Sequence, residues 1–156
     1  MKMFGRTAVF VLSTATLLSG ALATPATATE ASDGPVQVGA ASFHTRGDGT
    51  QAPAELGNPK EWGVVKLTLT GSAKSSVAMS PTTIVEVGGG TWSYGWQARD
   101  NYKYCYSNYY HGDVEHGSTV NMAGRIVRDI KPAGQTSNAN YQAGLAYTCY
   151  TYYAKY

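Results

Sequence analysis

Hydrophobic and polar positions along the chain change rhythm twice. Residues 8–23 follow Lys2 and Arg6, are mostly apolar and carry no charge. This is the shape of a secretory signal: a positive start, an apolar middle, and small residues for cleavage after Ala23 or, preferred here, after Ala28 in Ala26-Thr27-Ala28. Ser13, Thr14, Thr16, Ser19 and Gly20 interrupt the stretch, which falls short of the ~20 mostly apolar residues of a membrane span. Residues 1–28 are therefore expected to be a cleaved signal peptide. The product is expected to be secreted and extracellular, not an integral membrane protein.

No period of two or 3.6 persists over residues 29–59, where Ala, Gly, Pro, Thr and acidic residues dominate. Such a segment buries too little apolar area to offset its ordering. Beyond the turn at Asn58-Pro59, Val65, Leu67 and Leu69 alternate with Lys66, Thr68 and Thr70, which predicts one half-buried strand over residues 62–70. Residues 71–81 read as a polar connector. Residues 29–81 are thus expected to be a largely irregular linker or pro-segment holding one strand.

From residue 82 the rhythm becomes that of short strands. Thr83, Val85 and Val87 alternate with Ile84 and Glu86 and run into Gly88-Gly89-Gly90, read as a flexible entry to a compact domain over residues 82–156. Strands are expected at 91–97, 101–106, 118–122, 125–130 and, as one long element, 141–153. Turn residues at Asp100-Asn101, His111-Gly112-Asp113, Ala123-Gly124 and Lys131-Pro132-Ala133-Gly134 punctuate them. No helical pattern appears, and an all-β fold, a small antiparallel β-sandwich, follows. Alternation sends Trp92, Tyr94 and Trp96 to one face and Thr91, Ser93 and Gly95 to the other. Cys149 shares its face with Tyr147, Thr151 and Tyr153.

Composition sharpens the boundary, since all twelve tyrosines lie between Tyr94 and Tyr156. Loss of Lys2 and Arg6 with the signal takes the formal charge from +2 to about zero. No basic stripe remains to release counterions from phosphates, so no nucleic-acid partner is expected. In an oxidising exterior, Cys105 and Cys149 are expected to form a disulfide.

Catalytic signatures are missing: no G-x-S-x-G elbow, no H-E-x-x-H and no phosphate-cradling glycine loop before a helix occurs. The chain is read as a non-enzyme without a cofactor. His111, Asp113, Glu115 and His116 carry metal-ligand chemistry at unsupportive spacing, and are expected to form a solvated polar turn with no metal.

Three blocks carry a resemblance: Gly90-Thr91-Trp92-Ser93-Tyr94-Gly95, then Tyr106-Ser107-Asn108-Tyr109-Tyr110-His111-Gly112, then His116-Gly117-Ser118-Thr119-Val120 with Gly124-Arg125. Together with the aromatic end Tyr150-Thr151-Tyr152-Tyr153, they resemble the lactococcin 972-like bacteriocin family over roughly residues 87–156. The resemblance implies a secreted, unmodified bacteriocin with a small β-sandwich that pairs as a homodimer. It also implies a block of septum formation through binding of the cell-wall precursor lipid II. The two cysteines and the long segment 29–81 depart from the family pattern.

An aromatic patch can cover a lipid or sugar ring while polar groups read a head group. The candidate ligand-binding residues are Trp92, Tyr94, Trp96, Tyr109, Tyr110 and Arg125. For Trp92 and Trp96, core packing stands as an equal alternative. Tyr109 and Tyr110, beside Ser107-Asn108 and Gly112, are expected in an exposed loop. Arg125, with Arg128 and Lys103, could pair with a pyrophosphate, or be an ordinary exposed charge offsetting Asp129. A secreted carbohydrate-binding or surface-adhesion module binding a cell-envelope glycan, and a small inhibitor of another protein, stay open as alternatives.

Overall fold

A computed structural model describes residues 36–69 and 82–156. The expected signal peptide at residues 1–28 and the connector at 71–81 lie outside the described residues. Ten strands run in chain order: β1 Val36–Val38, β2 Ser42–Thr45, β3 Glu61–Leu69, β4 Thr83–Val87, β5 Gly90–Arg99, β6 Tyr102–His111, β7 His116–Met122, β8 Arg125–Lys131, β9 Gln135–Gly144 and β10 Cys149–Lys155. A 3-10 turn at Ala54–Leu56 sits between β2 and β3. One sheet has the order β1-β3-β10-β7-β8, with β2 on the same edge of β3 as β1; the other has the order β4-β5-β6-β9. Every pairing is antiparallel. This is the expected all-β sandwich.

Differences from the sequence-based expectation have physical causes. The expected linker supplies β1, β2 and β3, and β3 is a central strand: it pairs with β10 from Glu61↔Lys155 to Leu67↔Cys149. Its partner is about ninety residues away in the chain, so no local pattern reveals how firmly it is held. The strand expected at 141–153 is two strands, β9 and β10, in opposite sheets. Both faces of β10 are covered, which blurs its alternation with the preceding residues. Gly88 and Gly89, with φ of 61° and 83°, form a tight β4–β5 turn, not a flexible entry; Val87 pairs with Gly90 across it. Left-handed φ at both central positions suits a two-residue hairpin turn and favours glycine there.

Inward-facing residues of both sheets make one aromatic core. Trp92, Tyr94, Trp96, Cys105 and Tyr109 come from the four-stranded sheet, and Val65, Leu67, Val120, Met122, Cys149 and Tyr153 from the other. The Tyr153 ring lies 5.1 Å from Trp92 and 4.8 Å from Tyr109, so the aromatic contact spans the two layers. Cys105 of β6 and Cys149 of β10 are joined by a disulfide that ties the sheets covalently. A second cluster lies on the far side of β10. There Leu56 and Trp62 pack against Tyr152 and Ala154, so the 46–60 loop covers the outer face of the six-stranded sheet.

Burial shifts several interior ionisable groups toward their neutral forms. Burial, with Glu61 nearby, raises the phenol pKa of Tyr109 and Tyr153, and burial with Glu55 nearby raises that of Tyr152. Lys103 is fully buried, donates from Nζ to the Tyr147 carbonyl at 2.6 Å and lies 5.3 Å from the Trp96 ring centre. Burial lowers its pKa.

Three outcomes follow from this packing. Removing residues up to Leu69 strips β10 of one edge and uncovers Cys149 and Tyr153; the shortened protein is expected to lose its cooperative thermal transition, and a retained transition would show that β3 is dispensable. Replacing both cysteines by serine (C105S/C149S) is expected to cost about 3–4 kcal/mol, read as a lower denaturant midpoint, because the bridge closes a 44-residue separation. On the alkaline side, the three raised phenols stabilise the fold fully below about pH 10 and lose that contribution as pH rises further, since unfolded tyrosines then ionise. Lys103 works oppositely, because its cost fades as the unfolded lysine also loses its proton. Burial raises the pKa of Tyr94 and Tyr156 as well, so the phenols outweigh one amine and denaturant midpoints are expected to fall above about pH 10.

Candidate functional site: the outer face of the four-stranded sheet

The residues of the motif blocks lie mostly inside. Trp92, Trp96 and Tyr109 are fully buried and Tyr94 is nearly so, which places all four in the core and corrects the expectation of an exposed aromatic patch. Tyr109 is not in a loop: β6 continues through His111, and alternation turns Tyr109 inward and Tyr110 outward.

Polar atoms in these blocks are used to close the sandwich. Trp92 Nε1 donates to Ser107 Oγ at 2.9 Å, and Ser107 Oγ donates to the Tyr152 carbonyl at 2.8 Å, a relay from one sheet to the other. Ser118 of β7 meets Ser137 of β9 at 2.9 Å between their hydroxyls, and Ser137 donates to the Tyr109 carbonyl. Tyr109 donates its hydroxyl to the Val87 carbonyl at 3.0 Å.

Both histidines of the second and third blocks are likewise engaged with backbone. His111 Nδ1 accepts from Asp113 N at 3.0 Å and Val114 N at 3.3 Å, which leaves the proton on Nε2 facing the Gly88 carbonyl at 3.0 Å. His116 has Nδ1 2.8 Å from the Val114 carbonyl and Nε2 2.8 Å from the Gln135 carbonyl. The expected solvated polar turn is therefore half right. Asp113 and Glu115 are exposed, while the two imidazoles are buried and hold the crossover from β6 to β7. Among the described residues no group of three or more His, Cys, Asp or Glu is placed to hold a metal ion.

The outer face of the four-stranded sheet is accessible along β9 and at Tyr110, although Tyr106 on it is buried. Its register stacks side chains in cross-strand rows: Thr91, Tyr110 and Thr136; Ser93, Asn108 and Asn138; Gly95, Tyr106 and Asn140; Gln97, Tyr104 and Gln142. β4 extends two rows with exposed Ile84 beside Ser93 and Glu86 beside Thr91, and the remaining hydroxyls, amides and phenol rings suit a polar ligand with ring faces. Tyr110 is 45 % exposed at one end. At the other end the Arg99 guanidinium lies 3.9 Å over the Tyr104 ring centre, and Tyr104 stacks on Tyr106 at 6.2 Å.

Tyr106 lies flat because its neighbour in the row is glycine. A Cβ on Gly95 would come within 2.7 Å of the Tyr106 hydroxyl, which is instead 2.7 Å from Thr82 Oγ1. The face thus depends on Gly95 as much as on its aromatic residues. Sequence alternation marks Thr91, Ser93 and Gly95 as one face of β5. It misses Tyr104, Asn138 and Asn140, because their place beside Gln97, Ser93 and Gly95 appears only with the strand register.

Of the six expected ligand-binding residues, Tyr110 and Arg125 are exposed, and the structure does not bring them together. Arg125 starts β8 in the other sheet, paired with Met122 near the Cys149 end, whereas Tyr110 lies near the Lys155 end, beside the Thr91 and Thr136 row. Arg128 does not join Arg125 either, since its Nη2 donates to the Tyr156 hydroxyl at 2.8 Å.

Residues 88–153 match the family model described as Bacteriocin (Lactococcin_972). No curated protein and no solved structure matches the chain. The matched span runs from the β4–β5 turn through Tyr153 of β10, taking in the interior relay, both histidines and the disulfide, so residues 88–153 are similar to a lactococcin 972 bacteriocin domain, and the strands of residues 36–69 lie outside the match.

Proposed function

We propose that the protein is a secreted antibacterial that stops growth or septum formation of related Gram-positive bacteria by contacting a cell-wall precursor such as lipid II, without catalysis. The family-model match over residues 88–153 carries this reading. The disulfide suits an oxidising exterior. No helix among the described residues is long and apolar enough to cross a membrane.

The contact surface of this proposal is the outer face of β4-β5-β6-β9. Tyr104 and Tyr110 supply ring area, Asn108, Asn138 and Asn140 supply amide donors and acceptors, and Arg99 supplies the positive charge at one end. Trp92, Tyr94, Trp96 and Tyr109 act beneath it as the scaffold that keeps the sheet flat against its partner. Arg125 stays a separate candidate at the β7–β8 tip. Pairing as a homodimer, as in the family, belongs to the same proposal.

A second reading is favoured by the make-up of the same face. Between Glu86 on β4 and Arg99 at the other end, its rows are mostly amides, hydroxyls and phenols, the residue types that would read a glycan. A carbohydrate-binding or adhesion module would use the same residues with no effect on growth.

A growth assay on related Gram-positive cells with septum staining separates the two. Y104A and Y110A are expected to lower inhibitory potency roughly tenfold or more at unchanged melting temperature, as expected for aromatic contact residues. Unchanged potency in both variants would rule out this face. Wild-type binding to purified wall glycan without growth arrest would favour the adhesion reading.

A further inference from the structure

We propose that the loop between β2 and β3 forms a second ligand site, separate from the bacteriocin-matched residues, that takes a carboxylate-bearing monosaccharide. The loop encloses a cleft of about 230 Å³, with Arg46, Thr50, Gln51, Asn58, Pro59 and Trp62 among its walls. That is smaller than the ~300–1,000 Å³ of sites for larger organic ligands, and suits a single sugar ring.

The walls are held from both sides before any ligand arrives. Asp48 organises one side: its carboxylate accepts from Thr45 N at 3.1 Å and Thr50 N at 2.7 Å and meets His44 Nδ1 at 3.2 Å. These contacts hold the Asp48 pKa below the usual carboxylate value, led by the Thr50 amide. The 3-10 turn organises the other side by burying Leu56 against Trp62 and Tyr152. Arg46 crosses between the two sides, with Nε donating to the Pro59 carbonyl at 3.1 Å and Nη2 to the Asn58 carbonyl.

The charge of the cleft sets the ligand class. Two backbone carbonyls orient the guanidinium without neutralising it, and they leave N–H donors of its fork free. No carboxylate lines the cleft. Among the described residues the ion pairs involve His44, Lys131 and Lys155, not Arg46. Asp48, two residues on in the chain, is committed to its own turn. A carboxylate is therefore the complement of Arg46, while Thr50, Gln51 and Asn58 offer a hydroxyl and amides to sugar hydroxyls, beside the buried Trp62.

Titration of the intact chain with glucuronate, glucose and acetate, followed by the NMR signals of the Arg46 Nε–H and the Trp62 indole, tests the site. Glucuronate is expected to shift both signals, with glucose and acetate each binding about tenfold more weakly or worse. R46Q is expected to abolish the shift of the Trp62 signal. Because R46Q could loosen the loop, Q51E provides a second probe: it leaves the anchors of Arg46 in place, adds a competing carboxylate, and is expected to weaken glucuronate binding to the same extent. Equal binding of glucose would overturn the role of Arg46, equal binding of acetate would overturn the sugar ring, and no shift with any probe would overturn the site.

Discussion

The fold depends on satisfying polar atoms inside an aromatic core. Trp92, Tyr109 and Tyr153 meet between the two sheets, and each brings a polar group into a region without water. A buried donor left unpaired costs about 1–3 kcal/mol, so partners supplied within the core favour closure of the sheets. Trp92 finds Ser107, Ser107 finds the Tyr152 carbonyl, Tyr109 finds the Val87 carbonyl, and Tyr153 donates to Glu61 Oε1 at 2.8 Å. Trp96 Nε1 and Thr151 Oγ1 are the buried side-chain atoms without such a partner among the described residues. The last of these contacts reaches into β3, outside the span shared with the family. Glu61 also pairs with Lys155 Nζ at 3.1 Å, and Lys155 donates to the Gly88 carbonyl. One carboxylate thus joins the added strand, the last strand and the β4–β5 turn.

This arrangement explains why the motif blocks are poor guides to the contact surface. Each combines aromatic residues with serine or histidine, a composition that resembles a binding site when read along the chain. In the folded protein the same combination is an interior hydrogen-bonding set. Tyr109 and Tyr110 are adjacent in one block, yet one is scaffold and the other surface, because a strand turns successive side chains to opposite faces. The fold class, the disulfide and the shared face of Trp92, Tyr94 and Trp96 were legible from alternation, turn residues and cysteine count, but that this face turns inward was not. The place of β3 was not, since its ladder with β10 is formed by residues far apart in sequence. The outer rows were not legible either, because a row exists only once three strands share a register.

The strands of residues 36–69 change what the bacteriocin-type domain can be. Residues 61–69 extend the six-stranded sheet past β10, and the loop before them covers its outer face with Leu56 and Trp62. That face is thereby covered around Tyr152 and Ala154, with Ile126 and Ile130 of β8 still exposed, while the outer face of the four-stranded sheet carries an open array of phenols and amides. The division follows from where the extra chain packs.

Chemical-shift mapping of the intact, isotope-labelled protein against lipid II in detergent micelles bears most directly on the proposal that this open face makes the contact. Changes concentrated at Tyr104, Asn108, Tyr110, Thr136 and Asn138, with the amides around Trp92 and Tyr109 unmoved, are the expected result. Changes confined to the β7–β8 tip at Arg125, or the absence of any change at saturating lipid II, would contradict it.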